Sequence, residues 1–157
     1  MDDIEFNTDF PSSRVISTST LTLHLPYIPK QYYRHGWQSW SLAAWTDPRI
    51  HLPVQKPRLL HAMQNDPNYA YHPHPHGSWI GAVETEPDKI VLLGSLGLDA
   101  HIELNNDLLR GWYESGTGDW FIGFGTEESV FSQYTKLLGR QIGYIQQKTA
   151  PRVWCSW

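Results

Sequence analysis

The run Leu21-Thr22-Leu23-His24-Leu25 alternates apolar and polar residues with the period of two that a strand with one buried face requires, and Pro26 then restricts its continuation. Ser78-Trp79-Ile80-Gly81-Ala82-Val83-Glu84 and Lys89-Ile90-Val91-Leu92-Leu93-Gly94 read as two further strands joined through Glu86-Pro87-Asp88, a turn-forming cluster, so a hairpin is predicted. Ala100-His101-Ile102-Glu103-Leu104 alternates again, and Asn105-Asn106-Asp107 tolerates tight-turn geometry before residues 108–114, which predicts a second hairpin. An aromatic strand over 120–124 follows the turn Gly116-Thr117-Gly118-Asp119. Short strands with frequent turns predict an all-β chain folded as a β-sandwich. The period changes once, after Gly125. Thr126 can cap a helix, Glu127 and Glu128 suit its first turn, and Val130, Phe131, Tyr134, Leu137 and Leu138 recur at helical spacing as far as Gly139. One amphipathic helix over about 126–139 is expected, its apolar stripe packed on the sandwich. The sandwich domain is expected to span 1–145, with linker-like sequence from residue 146 and a new element beginning at Arg152.

Two short units stand apart from this pattern. Gly36-Trp37-Gln38-Ser39-Trp40 is echoed by Val153-Trp154-Cys155-Ser156-Trp157, and both read as strands, because aromatics favour strands and Tyr32 and Tyr33 precede the first. In a strand, Trp residues three apart lie on opposite sides. Trp37 is therefore expected to face the core and Trp40 to point outward, just before Ser41-Leu42-Ala43-Ala44-Trp45, a stretch suited to an irregular loop. Trp79, Trp112 and Trp120 are expected in the core as well.

At 157 residues the chain holds one domain or a little more, and an eight-stranded α/β barrel, at about 250 residues, does not fit. Charged residues make up 18% and aromatics 13%, with 8 Trp, a balance that points to aromatic-lined surfaces as well as core, and so to sugars or apolar ligands. A net charge of −4 with scattered Lys and Arg excludes a phosphate-binding field, so no nucleic acid partner is expected. The acidic start lacks the pattern of a secretory signal, no apolar run approaches the ~20 residues that span a bilayer, and the single Cys155 precludes an intrachain disulfide framework. A cytoplasmic protein without membrane contact is expected.

Candidate chemistry is sparse. Tyr71-His72-Pro73-His74-Pro75-His76-Gly77 invites a metal reading, but interleaved prolines favour polyproline II, in which the three imidazoles would project in different directions. A stiff exposed loop or an interface segment is expected instead. Paired carboxylates of the kind glycosidases use could be drawn from Asp99 with Glu103 or from Glu114 with Asp119, yet neither pair has a local signature. No phosphate loop, zinc spacing or nucleophile elbow is present, and Cys155 beside two Trp reads as a packed apolar residue. No metal, no cofactor and no catalytic residue is assigned within the chain.

Tyr33-Arg34-His35-Gly36-Trp37-Gln38-Ser39-Trp40-Ser41 together with Arg152-Val153-Trp154-Cys155-Ser156-Trp157 resembles glycoside hydrolase family 36, the α-galactosidase and raffinose-synthase group. The resemblance implies a β-sandwich of the supersandwich type, followed from about residue 146 by a linker and the orphan first strand of a (β/α)8 barrel. Val153 departs from the Gly that often leads the barrel motif, which bears on the subgroup. By the same resemblance Trp40 and Trp157 approach an α-galactoside pocket, and the two catalytic aspartates of a retaining mechanism lie on barrel strands beyond Trp157. The chain is thus expected to be non-catalytic alone, its partners its own barrel and the sugar. Its terminal segment is expected to promote association, and a homo-oligomer stays open. An independent carbohydrate-binding sandwich is the alternative.

Overall fold

The computed structural model describes residues 2–7, 9–37, 41–50, 66–69, 72–97 and 99–143. Eleven strands and one α-helix follow one another in these residues: β1 Asp2–Glu5, β2 Ser13–Thr18, β3 Thr20–His24, β4 Tyr32–Arg34, β5 Ala44–Thr46, β6 His76–Ser78, β7 Ile80–Glu86, β8 Lys89–Ser95, β9 Ala100–Asn105, β10 Leu108–Tyr113, β11 Gly118–Gly125 and α1 Glu127–Gln141. They form a five-stranded sheet, ordered β1-β3-β10-β9-β6, and a six-stranded sheet, ordered β2-β11-β8-β7-β4-β5.

The alternation seen in the sequence is what fills the space between the sheets. Leu21, Leu23, Ile102, Leu104 and Leu109 from one sheet meet Val83, Val91, Leu93, Trp120 and Ile122 from the other in a single buried cluster. Trp120 is fully buried and donates its indole N–H to the Thr18 carbonyl at 3.2 Å. Its ring occupies the space beside Gly111, where an added Cβ would come within 2.6 Å of the indole, so only glycine fits there.

A third layer lies on the six-stranded sheet. The hydroxyl of Thr126 caps α1 by accepting from the Ser129 N–H, and Glu127 and Glu128 occupy the first turn. Val130 and Tyr134 lie in a second buried cluster with Ala82, Leu92 and Phe121, and the Tyr134 hydroxyl donates to the Ser95 carbonyl at 2.7 Å. The helix runs through Gly139 to Gln141, two residues past the expected end.

Both predicted hairpins form, with Asp88 and Asn106 in the left-handed conformation that their turns require. The structure adds strands that the pattern did not show. β5, expected as irregular, pairs with β4, and the short edge strands β1 and β2 carry mostly exposed residues. β1 pairs parallel to β3 and presents Asp2, Asp3 and Glu5 to solvent, with Asp3 and Glu5 at 3.7 Å and 3.9 Å from the His24 ring. The stretch read as one strand from Ser78 to Glu84 is two: β6 belongs to the five-stranded sheet and β7 to the six-stranded sheet. The chain passes between sheets at the single residue Trp79, whose φ is 66°. Its N–H donates to Ala100 and its carbonyl accepts from Ser95, so each side of the corner is tied to one sheet. The proposed linker and barrel strand lie outside the described residues.

Candidate functional site

The first motif starts directly after β4. The His35 carbonyl accepts from the Ser78 N–H at 2.9 Å, and the absence of a side chain at Gly77 lets the His35 backbone approach, since a Cβ there would lie 3.0 Å from the His35 nitrogen. Gly36 packs against Ser41, whose carbonyl oxygen would be 2.8 Å from an added Cβ. Gly36 and Trp37 are not in a strand, and Trp37 is only partly buried, which corrects the expectation of a core-facing strand residue. The physical reason is that β4 ends at Arg34, so strand parity does not reach the tryptophan. Trp40 and Trp157, the two residues expected to approach a sugar, lie outside the described residues.

Trp37 instead lines a cleft of about 390 Å³ together with Trp79, Asp66, Asp99, His101 and Glu114. Asn68, Ser78 and Ala100 complete its wall. A backbone bond from the Glu114 N–H to the Asp99 carbonyl, 2.9 Å, holds two of the carboxylate-bearing residues side by side. Asp99 has φ 59°, so two of the cleft's non-glycine residues, Trp79 and Asp99, sit in the left-handed region. For a bulky aromatic this is an unfavourable backbone state that persists only where the surroundings over-determine it. The Trp37 indole nitrogen is inaccessible to water and has no hydrogen-bond partner. The Trp79 ring packs 5.7 Å from His35.

Behind this cleft lies a cluster that sequence reading did not foresee. His101 and Glu103 point to the outer face of the five-stranded sheet, yet each is only 6% exposed, because Tyr69 and His72 cover them. Tyr69 stacks on His76, centroids 4.2 Å apart and planes within 7°, and its hydroxyl donates to Glu114 Oε1 at 2.9 Å while accepting from the Trp112 N–H at 3.3 Å. His101 Nε2 lies 2.9 Å from the same Glu114 oxygen. With that nitrogen donating, Nδ1 is left to accept from His76 Nε2 at 3.1 Å. His72 meets Glu103, whose other oxygen is 3.7 Å from Arg110. Burial pushes the His101 pKa down, and Glu114 opposes that shift in part.

Several expectations change here. The histidines of the proline-rich stretch do not diverge: the His72 ring lies 6.0 Å from His74 and 5.4 Å from His76, and His76 is buried as the first residue of β6. Among the described residues, no three His, Cys, Asp or Glu are arranged to hold a metal ion. The carboxylates pair differently too. Asp99 joins Glu114, whereas Glu103 faces His72 and Asp119 accepts from the Ser17 hydroxyl. Of the tryptophans expected in the core, Trp120 is there and Trp79 packs at its margin, but Trp112 lies among the rings of the outer face. Asp66, Asn68 and His101 gave no signal in the sequence, since a tertiary contact alone brings them together.

No protein-family model matches the chain, and comparison with curated protein sequences gives no match. Among solved structures it is similar to TtGalA, an α-galactosidase from Thermus thermophilus. In complex with stachyose the identity is 36% and the TM-score 0.70, over 78% of this chain and 27% of that one. In complex with p-nitrophenyl α-D-galactopyranoside the identity is 36% and the TM-score 0.71, over 82% of this chain and 27% of that one. Fold, motif and match define a β-sandwich of the glycoside hydrolase type. The chain belongs to glycoside hydrolase family 36 and spans about 27% of the length of the α-galactosidase it matches.

Proposed function

We propose that the chain is the sandwich portion of an α-galactosidase-like glycoside hydrolase, non-catalytic by itself, that sets one aromatic wall beside the sugar pocket of a catalytic barrel. The observation that carries this reading is the 36% identity to an α-galactosidase over 78% of the chain, far more than a single motif. Within it, Trp40 supplies a flat indole face to the apolar side of a galactose ring, and Trp157 supplies a second from the start of the barrel. Bond cleavage falls to two carboxyl groups carried by that barrel, one as nucleophile and one as acid and base.

Two measurements test this. The chain alone, incubated with p-nitrophenyl α-galactopyranoside, is expected to release no nitrophenol; turnover that follows the protein through repurification would overturn the reading. In a barrel-bearing form, Trp40→Ala is expected to lower kcat/KM roughly tenfold, equivalent to about 1.4 kcal/mol of lost transition-state stabilisation, with the melting midpoint unchanged. Unchanged kinetics would remove the aromatic-wall role.

A further inference from the structure

We infer that the cleft beside Trp37 is itself a binding site for a neutral oligosaccharide, held by the sandwich without help from a barrel. Its volume, about 390 Å³, lies within the usual range for small-molecule sites. Two indoles, Trp37 and Trp79, offer apolar faces of the kind that stack on sugar C–H surfaces, and Asp66, Asp99 and Glu114 offer acceptors for hydroxyl protons. Asn68 and Ser78 add groups able to donate or accept.

Two features make this a built site rather than a chance hollow. The Glu114 carboxylate is half exposed, yet one of its oxygens is fixed by both Tyr69 and His101, so it is oriented before any ligand arrives. Trp79 is held in a left-handed backbone conformation by bonds to both sheets, which fixes its indole, packed at the margin of the core, where it lines the cleft.

Charge decides the ligand class. Three carboxylates line the cleft and neither Lys nor Arg does, which excludes sugar phosphates, nucleotides and other anions. An amine could also sit between indoles and carboxylates. The neutral donors Asn68 and Ser78 favour a polyol instead, and the choice of an α-galactoside among polyols rests on the proposed function.

Stachyose is the probe, titrated into the chain by calorimetry while the indole N–H resonances are followed by NMR. Saturable binding with displacement of the Trp37 indole N–H signal is expected. Glu114→Gln and Asn68→Ala, both at exposed positions, are each expected to weaken it by about tenfold, the loss of a hydrogen bond to a charged or well-placed polar group. Glu128→Gln, in a separate cleft lined by Trp45 and the start of α1, should leave it unchanged. Absence of stachyose binding, or binding that ignores both cleft variants, overturns the inference. So does putrescine binding in place of the sugar. Loss of binding on Trp40→Ala with both cleft variants intact would overturn it too, and would at the same time favour the aromatic wall. Failure here leaves the reading of the chain as an α-galactosidase sandwich standing, because that reading is decided by its own turnover assays.

Discussion

On the outer face of the six-stranded sheet, α1 lays Val130 and Tyr134 on Leu92 and Phe121; on the outer face of the five-stranded sheet, Tyr69 and His72 lie on His101 and Glu103. The first cover is apolar and regular. Its stability comes from area removed from water, and the sheet beneath it is apolar to match. The second is a layer of rings and charges in which each buried polar atom needs a particular partner. Apolar covers tolerate small displacements, whereas a network of imidazole, carboxylate and phenol works only in one arrangement. A cover of the second kind suits a surface that must present oriented polar groups, and the cleft with Glu114 at its wall borders that surface.

The comparison breaks first at the helix. Tyr134→Ala should cost about 3–5 kcal/mol in urea unfolding, the range for a buried large aromatic, because the ring is 2% exposed and its hydroxyl serves Ser95. A loss under about 1 kcal/mol would mean that the helix is only loosely attached. On the opposite face, Glu103→Gln should cost about 1–3 kcal/mol, since His72 and Arg110 lose the charge they face. If that variant is neutral while Tyr134→Ala is severe, the polar cover does not hold the fold together.

The smallest effect is a slope with pH. The pKa of His101 and that of His35 are both pushed below the ordinary imidazole value of 6.5 by burial. As pH falls below 6.5 the unfolded chain takes up these protons first, so stability is complete above that value and declines as pH drops towards the lowered pKa values. Melting curves between pH 7.5 and 5, chosen around the ordinary imidazole pKa of about 6.5, should show this decline. His101→Gln should make it shallower, and Tyr134→Phe should leave it alone. An unaltered slope in His101→Gln would assign the effect to other groups.

This difference also explains what could be read in advance. Leu21 and Leu23, or Val130 and Tyr134, announce themselves because their period equals that of the element carrying them. Trp79 could not be placed that way: one residue in a left-handed conformation ends a strand in one sheet and starts a strand in the other, while the apolar pattern runs on unbroken. Parity failed at Trp37 for a related reason, since it presumes a strand that stops at Arg34. Imidazoles at 72, 76 and 101 and carboxylates at 103 and 114 meet only through pairing between β6, β9 and β10 and the loop above them. The motif was legible because its residue types and order are specific, not because its conformation was.

The acidic edge strand β1 bears on how such a sandwich lives at high concentration. A sheet's last strand offers unpaired backbone groups onto which another molecule's strand can add, and repeated addition builds a fibre. Here the last strand of the five-stranded sheet carries Asp2, Asp3 and Glu5 in solvent. Two such edges brought together would align like charges, so polymerisation along this side is opposed by the chain's first residues, which contribute little to the core they flank.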